Sequence, residues 1–384
     1  MARKFLLGSL AGVAALAAGA AFLFWPQAPV AAAATPVKVE TVTEALEYPW
    51  ALSFMPDGRM LVTEKPGRLR IVARDGTVSP PIGGVPKVLY DGQGGLQDVT
   101  LAPDFATSRL VYLSYSEADE KGESGTAVAR GRLDPSGARL DDVEVIFRQR
   151  PKLDENKHYG SRLVFAPDGK LFVLLGERFQ FEPAQDLSND LGKVVRLNPD
   201  GSVPPDNPFV GREGALPEIW SYGHRNIEAG AIDPASGKLW IAEFGPRGGD
   251  ELNQPQPGRN YGWPLVSWGN HYSFVDIPDP PTRPDLADAV HHWTPVISPS
   301  GMAFYQGDLF PGWKGSILIG GLSSLSLIRV TLSDDAYAGE ERIVMKARIR
   351  DVAEGPDGAV FLVTDEEEGR LLRLLPGSDR PDGK

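Results

Sequence analysis

The 384-residue chain contains no cysteine. That excludes disulfide staples, thiolate-ligated zinc and a lipid-modified N-terminal cysteine. Positive charge is also in short supply: 39 Lys and Arg stand against 51 Asp and Glu, a formal net charge of −12. A chain of that sign is a poor partner for nucleic acid or an anionic membrane surface, so any anionic ligand must meet a local cluster of Arg or Lys. What the sequence has in quantity is punctuation, with 43 Gly and 34 Pro. They interrupt the chain too often for long helices and suit many short strands joined by turns, so the expected class is all-β.

The one long apolar run is N-terminal. Arg3 and Lys4 precede apolar residues 5–25, and a small-residue tract follows at 31–34. This is the layout of a cleaved secretory signal peptide, with a retained anchor as the alternative because the run is long enough to span a bilayer. Either way residues 35–384 are expected as one exported domain in a Gram-negative periplasm, touching membrane only if the N-terminal segment is retained. Cleavage would remove two cations and no acid, taking the net charge from −12 to −14.

A phrase recurs along the chain: an apolar pair, a Pro-Asp-Gly or Asp-Pro turn, and an apolar strand. It reads LSFMPDGRMLVTE (52–64), VTLAPDFATSRLVYLSY (99–115), LVFAPDGKLFVLLGE (163–177), GAIDPASGKLWIAEFG (230–245) and VAEGPDGAVFLVTDE (352–366), with a degenerate copy MAFYQGDLFPGWKGSILIGG (302–321). Pro fixes φ, Asp caps the turn and Gly takes the positive φ, so each copy predicts a hairpin. Six copies predict a six-bladed β-propeller with four-stranded antiparallel blades; a β-sandwich is the alternative. The inserts near 178–218 and 246–300 are expected as loops gathered on one face, with ligands at the central channel.

Three stretches carry more than turn chemistry. GQGGLQDVTLAPDF (92–105) sets Gln93 among glycines, either a plain turn or a place where backbone approaches a ligand. His158 and Arg162 precede the third repeat and Glu177 closes its strand. A neutral imidazole oriented by a carboxylate is a general base, whereas an idle histidine in the DENKHY loop is the plainer reading. EIWSYGHRNIEAGAIDP (218–234) leads to AEFGPRGGDELNQPQPGRNYGWP (242–264), where the Gly245 and Pro246 carbonyls with Asp250, Glu251 and Tyr261 offer hard oxygen suited to Ca²⁺, or simply a solvated loop.

The set GQGGL, KHYGSRLVFAPDG, LGER, AQDLSNDLGKVVRLNPDG, SYGHRN, FGPRGGDELN, NYGWP and RIRDV, in order from about residue 45 to 375, resembles the soluble PQQ-dependent aldose sugar dehydrogenases of the glucose/sorbosone dehydrogenase family. The resemblance implies oxidation of aldose sugars at C1 to lactones, hydride transfer to PQQ, and an external electron acceptor, a quinone or small redox protein, served by a monomer or homodimer. It implies His158 as the base, Glu177 as its acid partner, and Gln93 and Arg162 near the cofactor. Arg225 and Asn226 would face the quinone oxygens, with Arg225 also catalytic. The Gly245 and Pro246 carbonyls would ligate a Ca²⁺ that also binds PQQ, and Asp250, Glu251 and the Tyr261 carbonyl a second, structural Ca²⁺. Arg348 and Arg350 would neutralise PQQ carboxylates.

Two positions depart from the family pattern. Ser323 stands where the family carries a lysine that contacts PQQ, and Ile227-Glu228-Ala229 replaces Pro-Gln-Gly, placing a carboxylate near an anionic cofactor. Two other readings stay open: a Ca²⁺-dependent lactonase or esterase propeller, which would not need Arg225, Arg348 and Arg350, and a non-catalytic sugar- or partner-binding propeller that has lost PQQ.

Overall fold

The structure, a computed structural model, describes residues 35–377. The segment read as an export signal, 1–34, lies outside the described residues. Six antiparallel sheets follow one another along the chain. Blade one comprises Pro49–Phe54, Met60–Glu64 and Arg68–Val72; blade two Leu96–Leu101, Leu110–Ala118, Ser124–Leu133 and Leu140–Arg148. Blade three is Gly160–Phe165, Leu171–Leu175, Lys193–Leu197 and Ile219–Tyr222; blade four Ile227–Ile232, Leu239–Glu243, Asp250–Asn253 and His291–Trp293. Blade five is Pro299–Phe304, Ile317–Gly321, Ser326–Ser333 and Ala336–Val344. Blade six combines Ile349–Glu354, Val360–Thr364 and Gly369–Pro376 with the N-terminal strand Val37–Leu46, which pairs with Gly369–Pro376.

That last pairing ties the two ends of the described chain into one sheet. Each innermost strand also packs against the innermost strand of the next blade, and the sixth against the first. The fold is therefore a closed six-bladed propeller, and its only α-helix among the described residues is Phe105–Ser108.

Blade one departs from the four-stranded expectation. Beyond Arg68–Val72 the chain reads TVSPPIGGVPK (77–87), where Pro80, Pro81 and Pro86 have no N–H to donate to a ladder. Against Arg68–Val72 the segment makes a single Val72–Val78 bridge, with Ser79 and Ile82 donating to the Ile71 and Leu69 carbonyls, while Gly83 bridges instead to Arg139 of blade two.

Each repeat copy spans the turn from a blade's first to its second strand. At Asp57-Gly58 the Met55 carbonyl accepts the Gly58 N–H, Asp57 accepts the Arg59 N–H, and Gly58 takes φ 81°. The second strands read MLVTE, LFVLL, LWIAE, ILIGG and VFLVT in blades one, three, four, five and six, and each is buried along its whole length. Up to the polar residues that end three of them at Thr63-Glu64, Glu243 and Thr364, they are apolar runs because neighbouring blades cover both of their faces. Leu61, Leu69, Leu113 and Ala127 fill the seam between blades one and two, and Tyr112, Leu163, Val173 and Val195 that between two and three. Each such fully buried large side chain contributes roughly 1.5–3 kcal/mol.

All these turns share one face, so the opposite face, here the mouth, gathers the start of every innermost strand and the end of every second strand. The two positions bond to each other blade after blade. Glu64 accepts the Glu47 N–H (2.7 Å), Ser116 Oγ the Gly95 N–H (2.7 Å), and Asp365 pairs with Arg348 (2.6 Å). The inserts split between faces rather than gathering on one. Residues 178–192 and 244–249 follow second strands at the mouth. Residues 198–218 leave from Leu197, which pairs with Leu171 beside the turn, and so start at the turn face before returning along the blade to Leu216, whose N–H donates to the Leu187 carbonyl (2.8 Å).

Candidate active site

The chain turns sharply into the start of blade three's innermost strand: His158, Gly160 and Ser161 have φ of 51°, 66° and 88°. For His158 and Ser161 that left-handed conformation costs on the order of 1 kcal/mol each and needs compensation. It is held by the His158 N–H donating to Gln93 Oε1 (2.7 Å) and the Gly160 N–H donating to Asn226 Oδ1 (3.0 Å). Gly176 permits the approach, since a Cβ there would lie 2.0 Å from the His158 carbonyl oxygen.

His158 is 6% exposed, not an idle loop histidine. Its Nδ1 lies 2.8 Å from Glu177 Oε1, while Glu177 Oε2 accepts the N–H groups of Gln180 (2.5 Å) and Phe181 (3.3 Å). With a carboxylate as acceptor, Nδ1 carries the proton and Nε2 presents a lone pair. Burial first, then the nearby positive charge of Arg225, lowers the His158 pKa below its ordinary 6.5. The ring is therefore neutral at neutral pH and able to accept a proton.

Blade four repeats the pair. His224 Nδ1 lies 2.8 Å from Glu243 Oε1, again nineteen residues on, but His224 Nε2 bonds Ser221 Oγ (2.9 Å) and the ring stacks on Tyr261. Both His224 nitrogens are engaged, whereas His158 Nε2 has no hydrogen-bond partner among the described residues. The same scaffold device thus appears once saturated and once open.

Arg225, beside His224, is 2% exposed. Its Nη1 donates to the Phe244 (3.1 Å) and Gly245 (2.8 Å) carbonyls, while Nε and Nη2 are buried with no partner. Two orphaned guanidinium donors cost about 1–3 kcal/mol each unless a ligand oxygen meets them. Trp263 and Tyr272 lie against this guanidinium, at 5.2 and 5.8 Å. With Phe179, edge-on to His158 at 5.1 Å, and Phe181 they form an apolar wall beside the histidine.

A cavity of about 230 Å³ opens at the mouth, lined by Trp50, Lys65, Gln93, Glu228, Phe244, Ser298, Leu322, Arg348, Arg350 and Asp365. It brings together Gln93, Arg348 and Arg350 from the expected set, and the departure Glu228 faces the same space. Glu228 does not stand free: its carboxylate accepts from Arg350 (2.6 Å) and from Asn226 Nδ2 (3.1 Å). Asn226 is accordingly occupied within the fold at both ends of its amide.

Arg162 requires a correction. Its side chain lies on the propeller axis, where Nε donates to the Glu228 carbonyl (3.1 Å), Nη1 to Asp98 (2.9 Å) with Asp351 at 3.2 Å, and Nη2 to the Ser300 carbonyl (2.8 Å); the guanidinium lies 4.4 Å from the Trp50 ring. Every nitrogen is spent, so Arg162 is a hub joining its own blade to the other five rather than a cofactor contact.

The five expected metal ligands divide. Gly245, Glu251 and Tyr261 line a small cavity of about 10 Å³ together with Glu243 and Arg225, room for a single water or ion. Burial and the charge of Glu243 push the Glu251 pKa well up, against a 3.1 Å hydrogen bond from Asn253. Asp250 is not part of this group. Asp250–Asn253 is a strand, so adjacent side chains point to opposite faces. The Asp250 carboxylate instead accepts the N–H groups of Gly245 (2.8 Å), Ile297 (2.8 Å) and Ser298 (2.6 Å), shaping the Gly245-Pro246 corner and tying blade four to blade five. Pro246 does not line the small cavity. No cluster of three or more His, Asp or Glu suited to a metal occurs among the described residues, so a cation here would depend on carbonyl oxygens as well.

Sequence reasoning missed Lys65, Trp50, the His224–Glu243 pair and the aromatic wall. The doubled nineteen-residue His-to-Glu spacing was a readable sign of the second pair. Lys65 and Trp50 carried none, because they flank blade one's repeat copy, which reads as scaffold.

The family model described as Glucose / Sorbosone dehydrogenase matches residues 46–373. The chain is 46% identical over 350 residues to the aldose sugar dehydrogenase YliI of Escherichia coli, covering 90% of this chain and 94% of that protein. The crystal structure of the soluble E. coli aldose sugar dehydrogenase in its apo form superposes with a TM-score of 0.86 at 46% identity, covering 89% of this chain and all of that one. The PQQ-bound aldose sugar dehydrogenase of Streptomyces coelicolor superposes with a TM-score of 0.74 at 31% identity, covering 89% and 99%. The chain belongs to the glucose/sorbosone dehydrogenase family.

Proposed function

We propose that this protein is a PQQ-dependent aldose dehydrogenase, exported to the periplasm, that oxidises the C1 hydroxyl of aldose sugars to the lactone and hands electrons to an external acceptor, a quinone or small redox protein. The observation that carries the reading is a buried, neutral His158 held by the Glu177 carboxylate beside Arg225, whose free donors are buried and unmet. The PQQ-bound state of the Streptomyces relative supports the choice of cofactor.

The residues present fit a planar anionic cofactor. Arg225 offers two unmet guanidinium donors, and the mouth cavity holds Lys65, Arg348 and Arg350 against Glu228 and Asp365. PQQ, when bound, supplies a two-electron acceptor for the hydride that leaves sugar C1. His158 Nε2 takes the C1 hydroxyl proton, and Glu177 stabilises the imidazolium that results. Arg225 stabilises negative charge developing on a ligand oxygen, in a site where burial strengthens the interaction. Phe179, Phe181, Trp263 and Tyr272 exclude water and give the sugar ring an apolar face. Glu251, with main-chain oxygens of the residues lining the same small cavity, would be the group to hold Ca²⁺, which when bound would supply Lewis-acid polarisation and charge, whereas both Glu243 carboxylate oxygens are already taken by His224, Asn253 and the Arg225 N–H.

The test is direct. Purified protein given PQQ and Ca²⁺ reduces an artificial dye when supplied with glucose or another aldose. His158→Asn, chosen because asparagine tolerates the left-handed backbone there, lowers turnover by about 10²- to 10⁴-fold in an apoprotein that still unfolds cooperatively, with stability reduced by no more than about 1–3 kcal/mol for the lost Glu177 contact. A folded wild type that neither binds PQQ at micromolar concentration nor reduces dye would contradict the proposal and favour a sugar- or partner-binding propeller. Export is checked separately, by N-terminal sequencing of protein recovered from the periplasmic fraction.

A further inference from the structure

Of the three cations lining the mouth cavity, two are neutralised inside the fold. Arg348 pairs with Asp365 (2.6 Å), and Arg350 pairs with Asp365 (3.1 Å) and Glu228 (2.6 Å). Lys65 has no acid partner among the described residues. Its ammonium makes one long hydrogen bond, 3.3 Å to the Gly92 carbonyl.

The Lys65 backbone, by contrast, is firmly seated. Its N–H donates to the Tyr48 carbonyl (3.0 Å) and its carbonyl accepts the Leu96 N–H (2.9 Å), across the seam of blades one and two. Gly95 makes that seam possible, since its φ is 147° and a Cβ would lie 2.4 Å from the Lys65 carbonyl oxygen. A fixed backbone thus delivers an unpaired ammonium into a cavity already holding Arg350. Its proton affinity is accordingly lowered, by burial and then by that arginine. An anion arriving in the cavity relieves both costs.

Across the cavity, Leu322 and Ser298 line the blade-five side. Ser323 follows Leu322 in the chain, is exposed, and bonds Ser298 Oγ at 2.8 Å. It brings no charge to the rim where the family pattern has a lysine.

We propose that Lys65 is the cationic anchor for a carboxylate of the bound cofactor, supplying from blade one the charge that position 323 lacks on blade five. The inference rests on the PQQ reading above and adds a specific binding residue to it.

The experiment titrates PQQ into apoprotein in Ca²⁺ buffer and follows quenching of tryptophan fluorescence, Trp50 being in the cavity wall. Lys65→Met weakens binding about tenfold or more, Lys65→Arg stays within about threefold of wild type, and Ser323→Lys added to Lys65→Met recovers most of the loss. Apoprotein melting temperatures are compared throughout, and Lys65→Gln serves if the methionine variant folds poorly. Binding by Lys65→Met equal to that of a binding-competent wild type overturns the assignment of Lys65. Loss without recovery in the double variant overturns the exchange of positions. Failure of the wild type to bind PQQ overturns the functional reading, and this inference with it.

Discussion

Two buried arginines separate what holds this propeller together from what works in it. Arg162, on the axis, spends every nitrogen on Asp98, Asp351 and the Glu228 and Ser300 carbonyls, with its guanidinium against Trp50. Arg225, at the mouth, uses one nitrogen and leaves two buried and unmet. Both are almost wholly enclosed, so burial does not distinguish them. Saturation does: the fold also buries neutral donors without a partner, such as Trp240 Nε1, but Arg225 alone among these orphans is a cation, for which an unmet donor costs more and a ligand oxygen gains more. The two histidine–glutamate pairs repeat the lesson: His224 is closed by Ser221, and His158 keeps Nε2 open.

The largest effect expected is on the axis. Arg162→Met strands Asp98 and Asp351 without their cation and costs roughly 3–5 kcal/mol of stability, read by urea unfolding. A near-neutral change would erase the distinction between the two arginines. Arg225→Met inverts the pattern. It removes two carbonyl contacts but also two orphaned donors, so stability changes by no more than about 1 kcal/mol. PQQ affinity falls by about tenfold or more, read by the same fluorescence titration. A destabilisation matching that of Arg162→Met would show that Arg225 is scaffold as well.

The pH dependence sharpens the contrast further. Because the His158 pKa is lowered in the fold, the base remains neutral as pH falls through 6.5, and the acid limb of kcat/KM has its midpoint below 6.5. Arg225 is the second cause of that lowering, so residual activity in Arg225→Met shows a limb displaced toward higher pH. A limb unmoved by the substitution would mean that Arg225 does not act on the base. The smallest effect is expected from Glu228→Gln. It removes one of two carboxylates facing the cavity and tightens PQQ binding a few-fold, while the Arg350 contact becomes a neutral hydrogen bond.

Blade number was legible in the sequence because a tight turn between apolar runs is a local device, and its six copies, three of them Pro-Asp-Gly and one degenerate, needed no long-range information. The three-stranded first blade was legible in principle too, since Pro80, Pro81 and Pro86 sit where the fourth strand would run. The mouth was only partly legible. Gln93, His158, Glu177 and Arg225 stand out by residue type and come together because each flanks an innermost strand or ends a second one. Arg162 and Asp250 could not be judged from type alone. Their roles depend on partners in other blades, such as Asp351 for Arg162 and the Ile297 and Ser298 N–H groups for Asp250. Lys65 was hidden for the opposite reason, an ordinary lysine whose meaning lies in the acid it lacks.

The central claim is that the unmet donors of Arg225 are where a ligand binds and the saturated Arg162 is not. A crystal structure of the protein soaked with PQQ and Ca²⁺ tests it most directly. The account predicts a cofactor oxygen within hydrogen-bond distance of Arg225 Nε or Nη2, the cofactor within reach of His158, and the Arg162 contacts unchanged. Density for the cofactor away from Arg225, or its displacement of Asp98 from Arg162, would contradict it.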